Sequence, residues 1–232
     1  NGRVFQWKQP INGIPQGSYE PVIILITPKK RQLISLGGTY DFSKNTSLRL
    51  EGAFSNNDVN TFSSVDENDD KSYGILVDFK SSQYLKKNDS SSTLKWNSKI
   101  FYEQIGKNFQ FIERYRDVEF QRDWNIQALT LDGNEYITKV STGLSKNSNF
   151  INYEVGSFIK GHDYQGLSNG FRSKYKNKGF EFESRGSILQ VDAINNSEFL
   201  RHYSTISQKL WGLKFGAYLE QEKILFYEGK SD

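Results

Sequence analysis

The sequence predicts an all-β protein, an antiparallel up-and-down meander of about ten strands that forms part or all of a transmembrane β-barrel. Apolar and polar residues alternate nearly everywhere from residue 33 onward, while helical periodicity is scarce. Most alternating segments are about 9–12 residues long, which is the length that a tilted strand needs to cross a bilayer. Strands of soluble proteins are usually only about 5–6 residues long.

The composition agrees with a barrel whose interior is polar. Hydrophobic residues make up only 36% of the chain, aromatic residues make up 15%, and methionine is absent. Few aliphatic residues together with many aromatic, Gly, Asn and Ser residues are typical of such barrels, and secreted β proteins share this composition. No apolar run approaches the roughly 18 residues of a membrane-spanning helix.

Charge and cysteine content exclude other classes of protein. The net charge is +3, from 30 basic and 27 acidic residues, and the basic residues do not form the clustered face that nucleic acid requires. The absence of cysteine excludes disulfides, thiolate metal sites and cysteine nucleophiles. We therefore expect no nucleic-acid partner.

The strands follow from the alternation and from turn residues between them. In "FEFESRGSIL" (180–189), for example, Phe180 and Phe182 alternate with Glu181 and Glu183. Aromatic residues fall near strand ends, where the interfacial girdles of a barrel lie. The predicted strands are 33–42, 47–55, 72–83, 93–104, 135–145, 150–160, 165–175, 180–191, 199–210 and 213–225.

The two faces of these strands predict which residues line a wet lumen. If the apolar residues face lipid, the charged residues that alternate with them face the barrel interior. The expected lumen-facing residues are Arg49, Glu51, Asp78, Lys80, Lys95, Lys99, Glu154, Lys160, Glu181, Glu183, Arg185, Lys214 and Glu220. Strand 165–175 fits least well, because Arg172 and Lys174 face one way and Phe171 and Tyr175 the other.

The connections predict the orientation of the strands. Short links near 43–46, 146–149, 176–179 and 211–213 alternate with mostly longer links near 56–71, 105–134, 161–164 and 192–198. Short periplasmic turns and longer extracellular loops alternate in this way in outer-membrane barrels. Both ends of the chain then lie outside the cell. We therefore expect residues 33–232 to be an internal portion of a larger barrel, with its remaining strands as partners.

The segment 1–32 differs from the rest of the chain. It is rich in proline and contains the non-alternating apolar run "PVIILITP". We expect an extension or loop segment that packs on the barrel or acts as a plug, lid or linker.

An acidic loop is the candidate metal site. "DENDDKS" (66–72) places oxygen-bearing side chains at alternate positions on a short loop, and Ca²⁺ takes 6–8 oxygen ligands. The other interpretation is a solvated extracellular loop. We expect no other cofactor. The candidate calcium ligands are Asp66, Asn68, Asp70 and Ser72.

A second loop segment, "ERYRDVEFQRDWN" (113–125), interleaves opposite charges with aromatic residues. It predicts an ion-paired, folded segment that stabilises a long loop against the barrel wall or forms a constriction in a pore. The expected network comprises Arg114, Arg116, Asp117, Glu119, Arg122 and Asp123.

Catalysis has little support in the sequence. His162 and His202 are the only histidines, and neither lies in a nucleophile-elbow or zinc motif. We therefore expect that the protein is not an enzyme. We expect His162 to cap a loop and His202 to point into the lumen. A barrel hydrolase would have to be built on one of these two histidines.

Two stretches resemble a known family. "ISLGGTYDFSKNTSLRLEGAFSNND" followed by "ERYRDVEFQRDWN" is similar to large outer-membrane β-barrel proteins of Bacteroidota-type bacteria. The resemblance implies a barrel in the outer membrane of a Gram-negative cell. The expected function is a barrel wall with a polar lumen in transport, structure or surface assembly, in contact with outer-membrane lipid and with other membrane or surface proteins.

The alternative is a soluble or cell-surface β-sheet module that binds carbohydrate or protein. Its apolar faces would look inward onto a core, and tryptophans would form a platform for stacking sugars. The candidates for that platform are Trp7, Trp96, Trp124 and Trp211. Side-chain direction distinguishes the two interpretations.

Overall fold

A computed structural model describes residues 4, 6–17, 26–65, 67–86 and 94–227. Ten strands form one antiparallel sheet in chain order, which confirms the predicted all-β meander. The sheet is open, since β1 and β10 each pair with one neighbour. Its strands are β1 (Lys30–Ser43), β2 (Thr46–Asp58), β3 (Lys71–Lys86), β4 (Leu94–Ile105), β5 (Glu135–Lys146), β6 (Asn149–Lys160), β7 (Tyr164–Asn177), β8 (Phe180–Ala193), β9 (Asn196–Leu210) and β10 (Leu213–Tyr227).

Helix is nearly absent from the described segments. A single four-residue helix, α1 (Phe120–Asp123), lies in the connection between β4 and β5. No helix in those segments is long and apolar enough to cross a membrane.

The strands are 12 to 16 residues long and extend beyond most of the predicted ends. β1, for example, begins at Lys30, so the last three residues of the predicted extension 1–32 belong to the sheet. Polar residues at the strand ends lack an alternating apolar signal, but their backbone groups still complete the ladder. Before β1, Thr27 Oγ1 donates to the Val59 carbonyl at 3.1 Å, and Thr61 N–H donates to the Pro28 carbonyl at 3.1 Å.

Tight turns connect several neighbouring strands. Lys178 and Gly179 both have positive φ, at 43° and 85°, and so do Trp211 and Gly212, at 49° and 85°. Two successive residues of positive φ make the type I′ turn, whose twist matches that of the flanking strands. These turns therefore fix the registers of β7–β8 and β9–β10.

The prediction of long loops at one end of the sheet is half right. The connections 59–70 and 106–134 are long, but β6–β7 is joined by residues 161–163 and β8–β9 by residues 194–195 alone. Residues 192–198 were expected to form a longer loop. Most of these residues are polar, yet all but residues 194–195 belong to β8 or β9, with Ser197 paired to Val191.

The register separates the sheet into two chemically different faces. Residues directly opposite each other in an antiparallel ladder point to the same side, and successive residues alternate. The ladder shifts only near residues 41–43 and 84–86, close to strand ends. We call one side the apolar face and the other the charged face. Every strand has an exposed apolar residue on the apolar face, represented by Leu36, Leu50, Ile75, Ile100, Val140, Val155, Phe171, Ile188, Ile206 and Leu219.

The hydrophobic core lies on the charged face, not on the apolar face. Connection 106–134, which we call the crossing loop, folds over one end of the charged face. Trp124 of this loop packs on strand residues around Phe158, which is fully buried. The core comprises Trp124, Ile137, Phe158, Tyr164, Leu189, Val191 and Phe199. In the described segments, nothing comparable covers the apolar face.

Candidate functional site

The thirteen charged residues predicted to face a lumen all lie on the charged face. Arg49 stands opposite Asp78, and Asp78 stands opposite Phe101, which contacts the core below the crossing loop. Lys160 stands opposite Glu135 at the covered end, and Lys214 lies at the opposite end of the sheet. The sequence alternation therefore identifies one common face. That this face borders a lumen stays a prediction.

Away from the crossing loop, the charged face carries partly exposed ion pairs. The Asp78 carboxylate lies 2.8 Å from Lys80 Nζ and 3.8 Å from Lys99 Nζ. Glu181 lies 3.3 Å from Lys214 and 3.7 Å from Lys174. Asp78 is itself buried, whereas Glu181, Lys174 and Lys214 remain partly open to water, which screens the pairs of Glu181 so that they contribute little to stability. They fit a wetted surface better than a structural core.

Arg116 ties the crossing loop to the sheet. Its guanidinium pairs with the buried Glu103 of β4 and lies 2.8 Å from Glu135 of β5. Lys160 of β6 completes the group at 3.0 Å from Glu135. The Arg116 guanidinium also stacks over the Phe120 ring at 4.6 Å. One loop arginine thus joins two strand carboxylates.

The second half of the crossing loop is tied to β9. Arg201 of β9 pairs with Asp123 of α1 at 2.5 Å and donates to the Arg122 carbonyl at 2.9 Å. Asn125 donates to Ser197 Oγ at 3.0 Å. Within the predicted loop network, the side chains of Glu119 and Arg122 pair with each other at 3.0 Å.

The ion pairs of the predicted loop network are not confined to the loop. Arg116 and Asp123 pair with strand residues, which are distant in sequence, and Arg114 donates to the backbone carbonyls of Arg116 and Asp117. Local charge spacing indicates that a loop is ion-paired, but it does not show which strands lie beneath it.

Aromatic packing anchors the middle of the crossing loop. The rings of Trp124 and Tyr164 each lie 5.4 Å from that of Phe158, and the Tyr164 hydroxyl donates to the Trp124 carbonyl. Gly166 makes room for this contact. A Cβ there would lie 2.6 Å from the Tyr164 hydroxyl and 3.0 Å from the Trp124 ring. The sequence signal for this site is a glycine inside a strand, which marks close approach.

The first half of the crossing loop covers β2, β3 and β4. Phe109 packs on Gly74, and Gln110 N–H donates to the buried Ser55 Oγ at 3.2 Å. The Tyr115 hydroxyl donates to Glu103. Burial and this bond to a carboxylate raise the pKa of Tyr115 well above its ordinary value. The crossing loop thus contacts strands from β2 to β9.

The two ends of the crossing loop are also joined to each other. Lys107 pairs with Asp132, and Lys107 N–H donates to Asn134 Oδ1 at 2.8 Å. The hydrogen bond from Lys107 lowers the pKa of the Asp132 carboxyl below its ordinary value.

A cavity of about 600 Å³ lies between α1 and the charged face. Charges of both signs line it, including Glu154, Glu220, Arg172 and Arg185. Arg172 and Arg185 stand directly opposite each other in the β7–β8 ladder, and neither forms an ion pair among the described residues. Like charges in this position repel unless water or ions screen them. The arrangement suits a hydrated cavity.

The candidate calcium ligands differ in their surroundings. Asp66 lies outside the described residues, Asn68 is exposed, and Asp70 and Ser72 are buried at the start of β3. The described segments contain no group of three or more His, Cys, Asp or Glu side chains able to hold a metal ion. Calcium binding stays a prediction.

The histidines and tryptophans occupy separate places. His162 lies in the turn 161–163, as expected. His202 was expected to point into a lumen, but the register places it on the apolar face opposite Gly186. The register therefore contradicts the expected direction of His202; Phe199 and Tyr203 both lie on the charged face of β9 and obscure its alternation.

The tryptophans lie in different surroundings. Trp124 is buried under the crossing loop, whereas Trp211 is almost fully exposed in the β9–β10 turn. Trp96 lies on the apolar face of β4 and donates to Thr142 Oγ1 at 2.8 Å.

Comparison with known proteins identifies no relative. No protein-family model matches this chain, and no curated protein or solved structure is found to be similar.

Proposed function

We propose that this chain forms the wall of an outer-membrane β-barrel. In this proposal the apolar face contacts lipid, the charged face borders a wet lumen, and the crossing loop narrows the passage. The role is in transport, structure or surface assembly. The observation that carries the proposal is the apolar face, which runs across all ten strands and remains exposed.

The distribution of buried residues supports this orientation. The nine buried hydrophobic residues all belong to the charged face or to the crossing loop. On the other side, Leu36 is 82% exposed and Ile34 is 66% exposed. Soluble monomers rarely expose a contiguous apolar patch larger than a few hundred Å², and a ten-stranded apolar face exceeds that. Lipid is the environment in which such a face is stable.

The sheet edges define the partners that the proposal needs. The outer edges of β1 and β10 have no paired strand among the described residues. Unpaired backbone N–H and C=O groups cost several kcal/mol each in hydrocarbon, so both edges require partner strands. Further strands of the same barrel would supply them.

Fractionation of the native protein tests the proposal. We expect the protein in the outer-membrane fraction, with an SDS gel band that moves on boiling because a closed barrel resists SDS until heated. A water-soluble protein without a heat shift would contradict the barrel and favour the soluble binding module.

A pair of neighbouring variants tests the direction of the faces. Val140 lies on the apolar face of β5 and Ser141 on its charged face. Val140→Arg should reduce insertion into vesicles, because arginine on the lipid face costs about 2–4 kcal/mol near the midplane. Ser141→Arg is the matched control and should insert normally. Equal insertion of the two variants would oppose the proposal.

A further inference from the structure

Three polar side chains lie together on the apolar face. The imidazole Nε2 of His202 lies 2.6 Å from Ser204 Oγ, and Ser204 Oγ lies 2.7 Å from Ser184 Oγ. Ser184 stands opposite Ser204 in the β8–β9 ladder, and it is buried. Ser184 is the fifth residue of β8, so the cluster lies nearer to the β7–β8 turn than to the end of the sheet that the crossing loop covers.

Apolar side chains flank the cluster, while Gln221 stands opposite His202 and Ser173 stands opposite Ser184. The Phe171 ring meets the His202 ring edge-on at 6.2 Å between centroids, and it fills the space above Gly186. Leu200 precedes His202 on the same face, and Leu219 of β10 stands opposite Ser204. A histidine among apolar groups is costly in a membrane, and such residues generally serve a function there.

The hydrogen bonds give the three groups distinct roles. In a neutral imidazole, Nε2 accepts a hydrogen bond when Nδ1 carries the hydrogen. Ser204 can then donate its only hydroxyl proton to Nε2, while Ser184 donates to Ser204 Oγ. A serine hydroxyl that donates to an imidazole at 2.6 Å has the geometry of a nucleophile with its general base. His202 and Ser204 are only partly buried and remain open to a substrate on this face.

We propose that Ser204 and His202 form a nucleophile–base pair that hydrolyses carboxylic esters of membrane lipids. The lipid substrate rests on the proposed function, because only an apolar face in the bilayer brings acyl esters to this position. The expected substrate class is glycerophospholipid. The sequence predicted no enzyme because two-residue spacing within one strand, His202-Tyr203-Ser204, carries no local motif.

The reaction balances without any cofactor. Ser204 Oγ attacks the ester carbonyl carbon, and its proton passes to His202 Nε2. The tetrahedral adduct then releases the alcohol, which takes the proton from His202 and leaves an acyl group on Ser204. Water, deprotonated by His202, attacks this acyl group and releases the fatty acid. Ser204 recovers its proton from His202.

Gln221 is the candidate positioning residue. It stands directly opposite His202 in the β9–β10 ladder, on the same face. Opposite side chains in such a ladder are close enough to interact, so its amide oxygen can accept the hydrogen of Nδ1. This contact would hold the tautomer that the reaction needs.

The test uses the protein in vesicles of phosphatidylethanolamine and phosphatidylglycerol, with a fluorophosphonate probe that labels activated serines. We expect label on Ser204 and release of fatty acid. Ser204→Ala should abolish both signals, and His202→Phe should lower both by about 100-fold or more. Ser207→Ala changes a serine of the same strand on the charged face and is the matched control. Each variant must keep the heat-shifted gel band of the folded protein.

The outcomes separate this inference from the barrel proposal. A heat-shifted membrane protein whose labelling and hydrolysis equal those of Ser204→Ala would overturn the hydrolase and leave the barrel intact. A water-soluble protein that cleaves a soluble p-nitrophenyl ester through Ser204 would overturn the barrel and the lipid substrate together.

Discussion

Replacing Arg116 by glutamine should release the crossing loop from the sheet. Among the described residues, Arg116 alone joins the loop to both Glu103 and Glu135. Removing one member of a buried ion pair costs about 3–5 kcal/mol, because the remaining charge stays buried without its partner. We expect the lower limit of about 3 kcal/mol, since Lys160 still pairs with Glu135 and the Tyr115 hydroxyl still donates to Glu103.

Limited proteolysis measures this effect directly. Trypsin cleaves after Arg114, which lies in the crossing loop and is present in every variant. If loop opening is fast relative to cleavage, the cleavage rate follows the open population, and about 3 kcal/mol corresponds to an increase of roughly 100-fold. Trp124 fluorescence should report the same opening, because this side chain is buried only while the loop is in place.

Two further variants make the result decisive. Arg122→Gln is the matched control in the same loop, since the Arg122–Glu119 pair is half exposed and is worth about 0–1 kcal/mol. Adding Glu103→Gln to Arg116→Gln should restore part of the protection, because no uncompensated charge then remains at residue 103. Equal cleavage rates for Arg116→Gln and Arg122→Gln would refute the role of Arg116 in holding the loop on the sheet.

Two further predictions concern the same loop. Gly166→Ala should lower the free energy of unfolding by about 1–3 kcal/mol through overpacking under the loop. Gly170→Ala on the same strand, where the nearest atom would lie at 3.5 Å, should be nearly neutral in the same urea unfolding assay. Lys107 lowers the pKa of Asp132 below its ordinary value of 3.8. The pair therefore stabilises the closed loop fully at pH values above 3.8, and this stabilisation is lost as the pH falls through the lowered pKa. At pH 5, pepsin should therefore cleave the loop faster in Asp132→Asn than in the unmodified protein. At a pH low enough to protonate Asp132, the two cleavage rates should be equal. A difference that persists at this low pH would contradict a stabilising Lys107–Asp132 pair.

The strands and their faces were predictable because alternation is a local property. A side chain at residue i+2 lies on the same face as residue i whatever the rest of the sheet does, so the charged residues of β2 and β8 were placed on a common face from sequence alone. The link at 194–195 was not predictable in this way. Its flanking residues are polar, and only pairing across β8 and β9 makes them strand.

The contacts of the crossing loop depend on pairings distant in sequence. Asp123 and Arg201 are 78 residues apart, and Tyr164 reaches the Trp124 carbonyl across 40 residues. No local spacing encodes either contact. His202 shows the same limit, since Phe199 and Tyr203 put large aromatic rings on the charged face of β9 while aliphatic Leu200 and Ile206 lie on the other face. Register with β8, rather than composition, decides where His202 points.

Single-cysteine labelling tests the central claim, that the apolar face lies in lipid. The chain contains no cysteine, so one introduced thiol reports one position. Val155→Cys and Glu154→Cys are neighbours on β6 with opposite faces. In vesicles, we predict that a water-soluble maleimide labels position 154 and not position 155, and that a fluorophore at 155 is quenched by brominated lipid. Equal labelling of both positions, or lipid quenching at 154 alone, would contradict the account.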